Sequence, residues 1–224
     1  MYKYETHLHT SHVSKCASQS VREVIELYKS LGYAGIFITN HFIDGNSNTG
    51  DIPTYEDKIN YYFSDYEEGV KIGKELNLPV FFGAELSYKG TDFLVFGLDK
   101  KWFLSHPEIM DMKKTDELKF MMDEGALVIQ AHPFREANYI DHIRLFPRSV
   151  QGVEINNACR TDFENEMAKN YAKSYNLIPF AGSDIHHLTQ THLSGISFST
   201  PISDEQDFIN RIKSGNYEIF TKNI

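Results

Sequence analysis

Two cysteines, Cys16 and Cys159, are all that 224 residues contain. So few thiols exclude a disulfide framework and fit a reducing cytoplasm, which is the expected location. No apolar run reaches membrane length, and the chain enters its first strand-like run without a signal peptide, so no membrane partner is expected. Positive charge is short: 22 Lys and Arg face 31 Asp and Glu, a formal net charge of −9. Long nucleic acids are held by basic surfaces that release counterions, so a nucleic-acid partner and exonuclease action are disfavoured. A small anionic substrate stays open, because bound cations reverse a local field. There is no Gly-x-Ser-x-Gly elbow and no Walker loop, which removes two common routes to hydrolysis. Internal repeats, low-complexity segments and linkers are also missing. With 41% hydrophobic and 24% charged residues, one globular domain over residues 1–224 is expected.

What is present is histidine and carboxylate at the ends of apolar runs. In Tyr4-Glu5-Thr6-His7-Leu8-His9-Thr10, strand alternation sends His7 and His9 to one face. Four further runs end in polar pairs of the same parity: Thr39 and His41, Glu85 and Ser87, Gln130 and His132, Glu154 and Asn156. A fifth ends in Asp184 and His186. Short apolar runs between helical stretches read as buried parallel strands. In a (βα) barrel the functional groups sit at the carboxyl ends of such strands. At this length a compact barrel one unit short of eight fits.

Between the strands, Ser20 and Glu23 make a capping box for a helix that stops at Gly32. Residues 42–54 and 133–149 are long loops of the kind that bind or cover substrates. Ile59, Tyr62, Phe63, Tyr66, Val70 and Leu76 place a single long helix between them. Lys89 and Gly90 suit a hairpin turn, Lys114 to Glu124 a helix ending at Gly125, Thr161 and Glu164 a second capping box. Ser203 with Gln206 is expected to cap the last substantial helix.

The candidate metal ligands are His7, His9, His41, Glu85, His132, Asp184 and His186. Imidazole and carboxylate together suit Zn, Mn or Fe and do not suit a thiolate-bound structural zinc. Seven donors exceed one tetrahedral ion. They fit two or three divalent ions sharing Glu85 or Asp184 as a bridge, the two residues placed at the catalytic centre. Such a pair activates water as a hydroxide nucleophile and clamps a phosphoryl centre. Arg135, after the His132 strand end, offers a planar fork for phosphate. Arg160 and Lys15 are further substrate-binding candidates, while Cys16 and His12 are left open as ligands.

Taken in order, Glu5-Thr6-His7-Leu8-His9, Ile38-Thr39-Asn40-His41, Gly83-Ala84-Glu85, Gln130-Ala131-His132-Pro133, Gly152-Val153-Glu154-Ile155 and Gly182-Ser183-Asp184-Ile185-His186 resemble the PHP superfamily of polymerase-associated and histidinol-phosphatase domains. The resemblance spans nearly the whole chain. It implies an α/β fold, a distorted (βα)7 TIM-like barrel, a two- or three-metal cluster and phosphoester hydrolysis, with the seven ligands carried over by motif position. Glu5 and Asn40 stand where the family usually has Asp. A family histidine after Glu85 is replaced near Asp92, and Cys16 falls near a loop position that often holds a ligating histidine.

The resulting reading is a metal-dependent phosphoesterase acting on a small phosphorylated metabolite. One alternative is a C–N hydrolase of amidohydrolase type, which normally adds a carboxylated lysine on a mid-chain strand that this chain lacks. The other is a metal-binding regulatory module without catalysis.

Overall fold

Parallel strands need crossovers, and this chain supplies capped helices for several of them. The computed structural model describes all 224 residues. Strand β1 (Tyr2–Glu5) leads through a loop to helix α1 (Val21–Ser30), which the Ser20–Glu23 capping box opens as expected. Strand β2 (Gly35–Ile38) follows, then helices α2 (Tyr55–Tyr62) and α3 (Ser64–Leu76). The single helix expected here is broken at Phe63, which caps α2 and opens α3. Strands β3 (Val80–Phe82), β4 (Ala84–Tyr88) and β5 (Thr91–Phe96) come next. Lys89 and Gly90 turn β4 into β5, both at positive φ (49° and 83°), the backbone that a two-residue type I′ hairpin requires. Helix α4 (Lys100–Ser105), a 3₁₀ turn and α5 (Lys114–Asp123) lead to β6 (Leu127–Ala131). The second capping box starts α6 (Asp162–Tyr175) between β7 (Gly152–Asn157) and β8 (Ile178–Gly182). Strand β9 (His192–Phe198), helix α7 (Glu205–Ser214) and strand β10 (Glu218–Asn223) complete the chain. Asp204, rather than Ser203, caps α7 by accepting from the Asp207 amide; a carboxylate and a serine hydroxyl compete for that amide, and the register favours Asp204.

The strands form two five-stranded sheets, ordered β10-β9-β1-β2-β3 and β4-β5-β6-β7-β8. This departs from the closed seven-unit barrel. Pairs β1–β2, β2–β3, β6–β7 and β7–β8 are parallel, whereas β5 runs antiparallel to both neighbours and β9 antiparallel to β1 and β10. Hairpins stand where a βα repeat would put helices. Single parallel bridges, Leu8 to Ile185 and His41 to Glu85, join the sheets near the carboxyl ends of β1, β8 and β2.

Beneath those ends an aromatic knot ties the sheets together. Phe37 lies 4.4 Å from Phe208 and 5.4 Å from Phe96, and Phe96 lies 5.5 Å from Phe180. Phe37, Phe96 and Phe180 each stand four residues from His41, Asp92 and Asp184. Asp92 and Phe96 share one face of β5, about 13 Å apart, whereas His41 and Asp184 lie past the ends of β2 and β8. Truncating one of these buried rings to Ala costs about 3–5 kcal/mol.

Candidate metal centre

Regular β1 pairing ends at Glu5, two residues before the first histidine. Glu5 is fully buried, and its Oε1 accepts from the Thr6, His7 and Ser183 amides while Oε2 accepts from Tyr28 Oη. That carboxylate pins β1 to the segment after β8 and holds the extended register into His7 and His9. Alternation survives: His7 Nε2 and His9 Nε2 stand 3.4 and 3.3 Å from the same Asp184 Oδ1.

Glu85 is the hub. Its Oε1 lies 3.2 Å from His7 Nε2 and 3.3 Å from His132 Nε2; its Oε2 lies 3.4 Å from His9 Nε2 and 2.8 Å from His41 Nδ1. None of these contacts has hydrogen-bond alignment: both Glu85 oxygens, His7 Nε2, His9 Nε2 and His41 Nδ1 are buried without a hydrogen-bond partner. Orphaned donors and acceptors that converge this way are costly unless something between them is bound. Two ligands about 2.1 Å from a tetrahedral cation stand about 3.4 Å apart, close to the 3.2–3.4 Å separations around Glu85 and Asp184. By donor chemistry and spacing the residues fit divalent cations.

The ligand atoms gather into overlapping groups: His7, His9 and Asp184; His7, Glu85 and His132; His41, Glu85 and Asp92; His9, Cys16, His41 and His186. All seven residues singled out in the sequence thus converge, and Cys16 and Asp92 join them. His12 does not; its ring packs on Tyr61 at 4.6 Å. Asp92 is tied to Arg135, with Nη2 3.0 Å from Oδ2, and accepts from Ser87 Oγ.

Backbone strain is concentrated here. Of the non-glycine residues at positive φ, Asn77 and Asn176 end helices and Lys89 sits in the hairpin turn. The other two are His132 (24°) and Asp184 (52°), immediately after β6 and just after β8. Such conformations cost about 1–3 kcal/mol and persist where surrounding structure imposes them, most often at functional sites.

A second layer orients the candidate ligands, and sequence alone left it without roles. Glu154 Oε1 lies 2.9 Å from His7 Nδ1 and accepts its hydrogen bond, which turns Nε2 toward Glu85 and Asp184. Glu154 Oε2 accepts from the His132 amide and from Asn157 Nδ2, and Asn157 Nδ2 also reaches Asp184 Oδ2 at 3.2 Å. Strand parity pairs Glu154 with Asn156, but a register shift in β7 between Glu154 and Asn156 brings Asn157 inward instead. Asn40 accepts from the Thr10 amide and Ser14 Oγ; Ser14 Oγ in turn lies 3.3 Å from His9 Nδ1. Gly182 gives β8 room to run against His7 and Glu154; any β-carbon there would collide with both.

Taking the protein's own charges alone, protons do part of the neutralising. Burial would lower His7, but Asp184, Glu154 and Glu85 outweigh it and raise it well above the usual range. His41 behaves likewise against Glu85. His9 is pushed down to about 3 by burial and by the neighbouring His186. Burial opposes ionisation of Glu85 and Asp184, yet the surrounding imidazoles hold both well below the usual carboxylate range. Burial would raise the Cys16 thiol, but His186 and His41 draw it to about 7. Cations entering the cluster would displace these protons.

A cavity of about 610 Å³ opens onto the cluster, lined by Cys16, His41, Asp92, Arg135, Arg160 and Asp184 among others. Loop 42–54 contributes Gly45 and Asn46, and loop 133–149 contributes Arg135, Ala137 and Tyr139. Arg135 and Arg160 each bury an Nε–H that has no acceptor. Lys15 is exposed and does not line the cavity, because its loop turns Cys16 inward. The one largely buried lysine, Lys114, is paired with Asp44 and Glu117 and does not line this cavity either.

Residues 162–217 match the model of a family described as PHP-associated. No curated protein matches the chain. Among solved structures, a two-domain protein from Bacteroides vulgatus containing a predicted PHP-like metal-dependent phosphoesterase superposes with a TM-score of 0.72 at 14% identity. That match covers 98% of this chain and 64% of the other, so the chain spans less than two thirds of that protein. PsfC from Pseudomonas syringae gives 0.63 at 14% identity, covering 100% and 91%. An amidohydrolase from Chromobacterium violaceum with bound sulfate gives 0.55 at 12% identity, covering 84% and 88%. These likenesses are likenesses of fold.

Proposed function

We propose that this chain, a member of the PHP superfamily, is a metal-dependent phosphoesterase acting on a small phosphorylated metabolite, with residues 1–224 as one hydrolase domain. The observation that carries the reading is the convergence of orphaned imidazole and carboxylate atoms on Glu85 and Asp184, beneath a cavity holding two arginines with spare N–H donors. In this reading His7, His9, His41, Glu85, His132, Asp184 and His186 would hold two or three divalent ions (Zn, Mn or Fe), with Glu85 and Asp184 at the centre of the donor set. Ions held there supply an activated water and neutralise charge on the phosphoryl oxygens. Glu154 keeps His7 in the tautomer that ligates through Nε2. Arg135 and Arg160 orient the phosphate, and Asp92 holds the Arg135 fork in place while Tyr139 carries its guanidinium 5.9 Å from the ring centre.

Chelation is expected to abolish phosphate release from a panel of small phosphomonoesters, and added Mn²⁺ or Zn²⁺ to restore it. Full activity in demonstrably metal-free protein would overturn the mechanism. Metal binding without hydrolysis across a broad panel would favour the regulatory module instead.

Arg135→Lys is expected to lower kcat/KM by roughly 10- to 100-fold with metal content unchanged, because lysine cannot reproduce a two-pronged contact. Wild-type kinetics in Arg135→Ala would return the residue to a simple ion-pair partner of Asp92.

The amidohydrolase likeness favours one second reading, C–N bond hydrolysis. The cavity is lined by arginines and no lysine, which suits an anionic substrate better. Turnover of amides or cyclic ureides with none of phosphoesters would reverse that preference.

A further inference from the structure

A second cavity, of about 500 Å³, meets the cavity over the donor cluster at Ser87, which lines both. Loop 42–54 borders the two together, with Asp44 on one side and Gly45 on the other. Their walls differ in character. Polar and charged groups dominate around the donor cluster, whereas Tyr88, Ile109, Met110, Met112 and Phe146 give the second cavity an apolar lining. We propose that this second cavity takes the organic part of the ester, so that the substrate is the phosphate monoester of an uncharged, hydrophobic alcohol. The inference rests on the phosphoesterase reading above and names the alcohol half of its substrate.

The cavity is built rather than a chance hollow. Lys114 Nζ lies 2.9 Å from Asp44 Oδ2 and 2.7 Å from Glu117 Oε2, with Lys114 only 8% and Glu117 only 4% exposed. That triad fastens loop 42–54 to helix α5, and the Ser87 amide donates to Asp44 Oδ1 to close the corner. Phe146 is fixed as well: its amide donates to Gln130 Oε1, and its ring meets Tyr88 edge-on at 6.0 Å. Pre-formed, largely apolar cavities of this size are where small organic groups bind.

Charge decides what kind of group fits. The buried charges face one another, since Lys114 already has two carboxylate partners. Burial pushes Glu117 up to about 7 against the pull of Lys114, so near neutral pH the triad offers little net charge. Lys113, the other cation of the lining, is exposed to solvent. A second phosphate would meet Asp44 and Glu117 and shed its hydration with no free buried cation in return. Apolar walls with two thioethers fit an alkyl or aryl chain instead, because methionine adapts to irregular shapes. Reach agrees: Ser87 stands two residues beyond Glu85 on the same face of β4, about 7 Å along the strand. With the phosphoryl group at Arg135, a short chain ends at the donor cluster and a longer one enters the second cavity. In hydrolysis water attacks phosphorus, the bond to the alcohol oxygen breaks, and the alcohol departs carrying a proton from that water.

The test compares ethyl, n-butyl and n-hexyl phosphates, whose leaving groups are alike in reactivity, on the full chain loaded with Mn²⁺. Wild-type kcat/KM is expected to climb by about 100-fold from ethyl to hexyl, because each buried methylene adds to transition-state binding. Thr115→Trp, from an exposed position on α5 that lines the cavity, should fill it and cut that ratio by about tenfold or more. Met110→Trp, filling it from the 3₁₀ turn, should do the same and guards against a folding defect in either variant. Lys119→Trp, on α5 but outside the cavity, should keep the wild-type ratio. Chelated wild type should also bind 1-hexanol saturably by ligand-observed NMR, and chelated Thr115→Trp should not. A ratio near one in wild type, a ratio unchanged in both filled variants, or equal hexanol binding in wild type and Thr115→Trp overturns the inference and leaves the phosphoesterase standing. No hydrolysis of any ester with Mn²⁺, Zn²⁺ or Fe²⁺ overturns the phosphoesterase and the inference with it.

Discussion

Glu85→Gln is expected to lower phosphate release by roughly 10³-fold, about 4 kcal/mol of transition-state stabilisation, and to remove at least one bound ion. Shape is preserved in this variant. The Glu85 amide donates to Asn40 O, its carbonyl accepts from the Phe42 amide, and β4 is locked to β5. What disappears is the charge that faces four imidazoles and one strong donor oxygen. Without cations the same charge still matters, since it helps hold protons on His7 and His41 at neutral pH. The chelated variant should therefore be less stable than chelated wild type by about 1–3 kcal/mol, a cost limited because His41 can shed its proton once the partner is neutral. With cations the gap should widen, because wild type gains more from mass action than the variant does. Thermal unfolding of both proteins with and without Mn²⁺ or Zn²⁺, alongside elemental analysis, decides the matter. Equal ion counts and equal thermal gains would show that Glu85 is not a bridge.

Asp184→Asn should be similarly damaging to hydrolysis, again by about 10³-fold, yet leave the fold nearly untouched. The reason lies in the backbone. Asp184 sits at φ 52°, a region that Asn enters more readily than most residues. The amide can also keep a contact to Asn157, whose Nδ2 donates to Oδ2. Lost are the negative charge beside His7, His9 and His186 and the ionised oxygen 3.3–3.4 Å from the first two. Asp184→Ala removes the same charge and adds strain of about 1–3 kcal/mol, because alanine has no local stabilisation in that conformation. Kinetics, metal content and melting temperature of the pair separate charge from strain. Retained metal and wild-type turnover in Asp184→Asn would remove Asp184 from the cluster.

Residues that speak through local geometry were readable without the structure. His7 and His9 share a target because strand alternation is a property of the backbone, and it persists past the last regular pairing of β1. The capping boxes at Ser20 and Thr161 and the turn at Lys89-Gly90 likewise depend on contacts only a few residues apart. Strand β9 carries no readable apolar pattern because Ser194, Gly195 and Ser197 interrupt its run. Ser194 and Ser197 are buried, each donating its hydroxyl to a carbonyl on β10. Strand β10 is half-exposed and carries no core pattern of its own.

The sequence by itself determined which side chains lie at the strand ends, and hence the seven candidate ligands and their nitrogen and oxygen chemistry. Tertiary structure alone decided the rest. It split the strands into two sheets, put Asn157 in place of Asn156 through a shift in β7, and set Glu154 to accept the hydrogen bond of His7 Nδ1. It also brought Cys16 to His41 and His186 while leaving Lys15 outside. The physical reason is range. Alternation and capping are short-range steric and hydrogen-bonding effects written into neighbouring residues. A bulge, a sheet boundary or a loop's docking is settled by burial and hydrogen bonding summed over partners more than a hundred residues apart, such as Glu5 with Ser183 and His7 with Glu154.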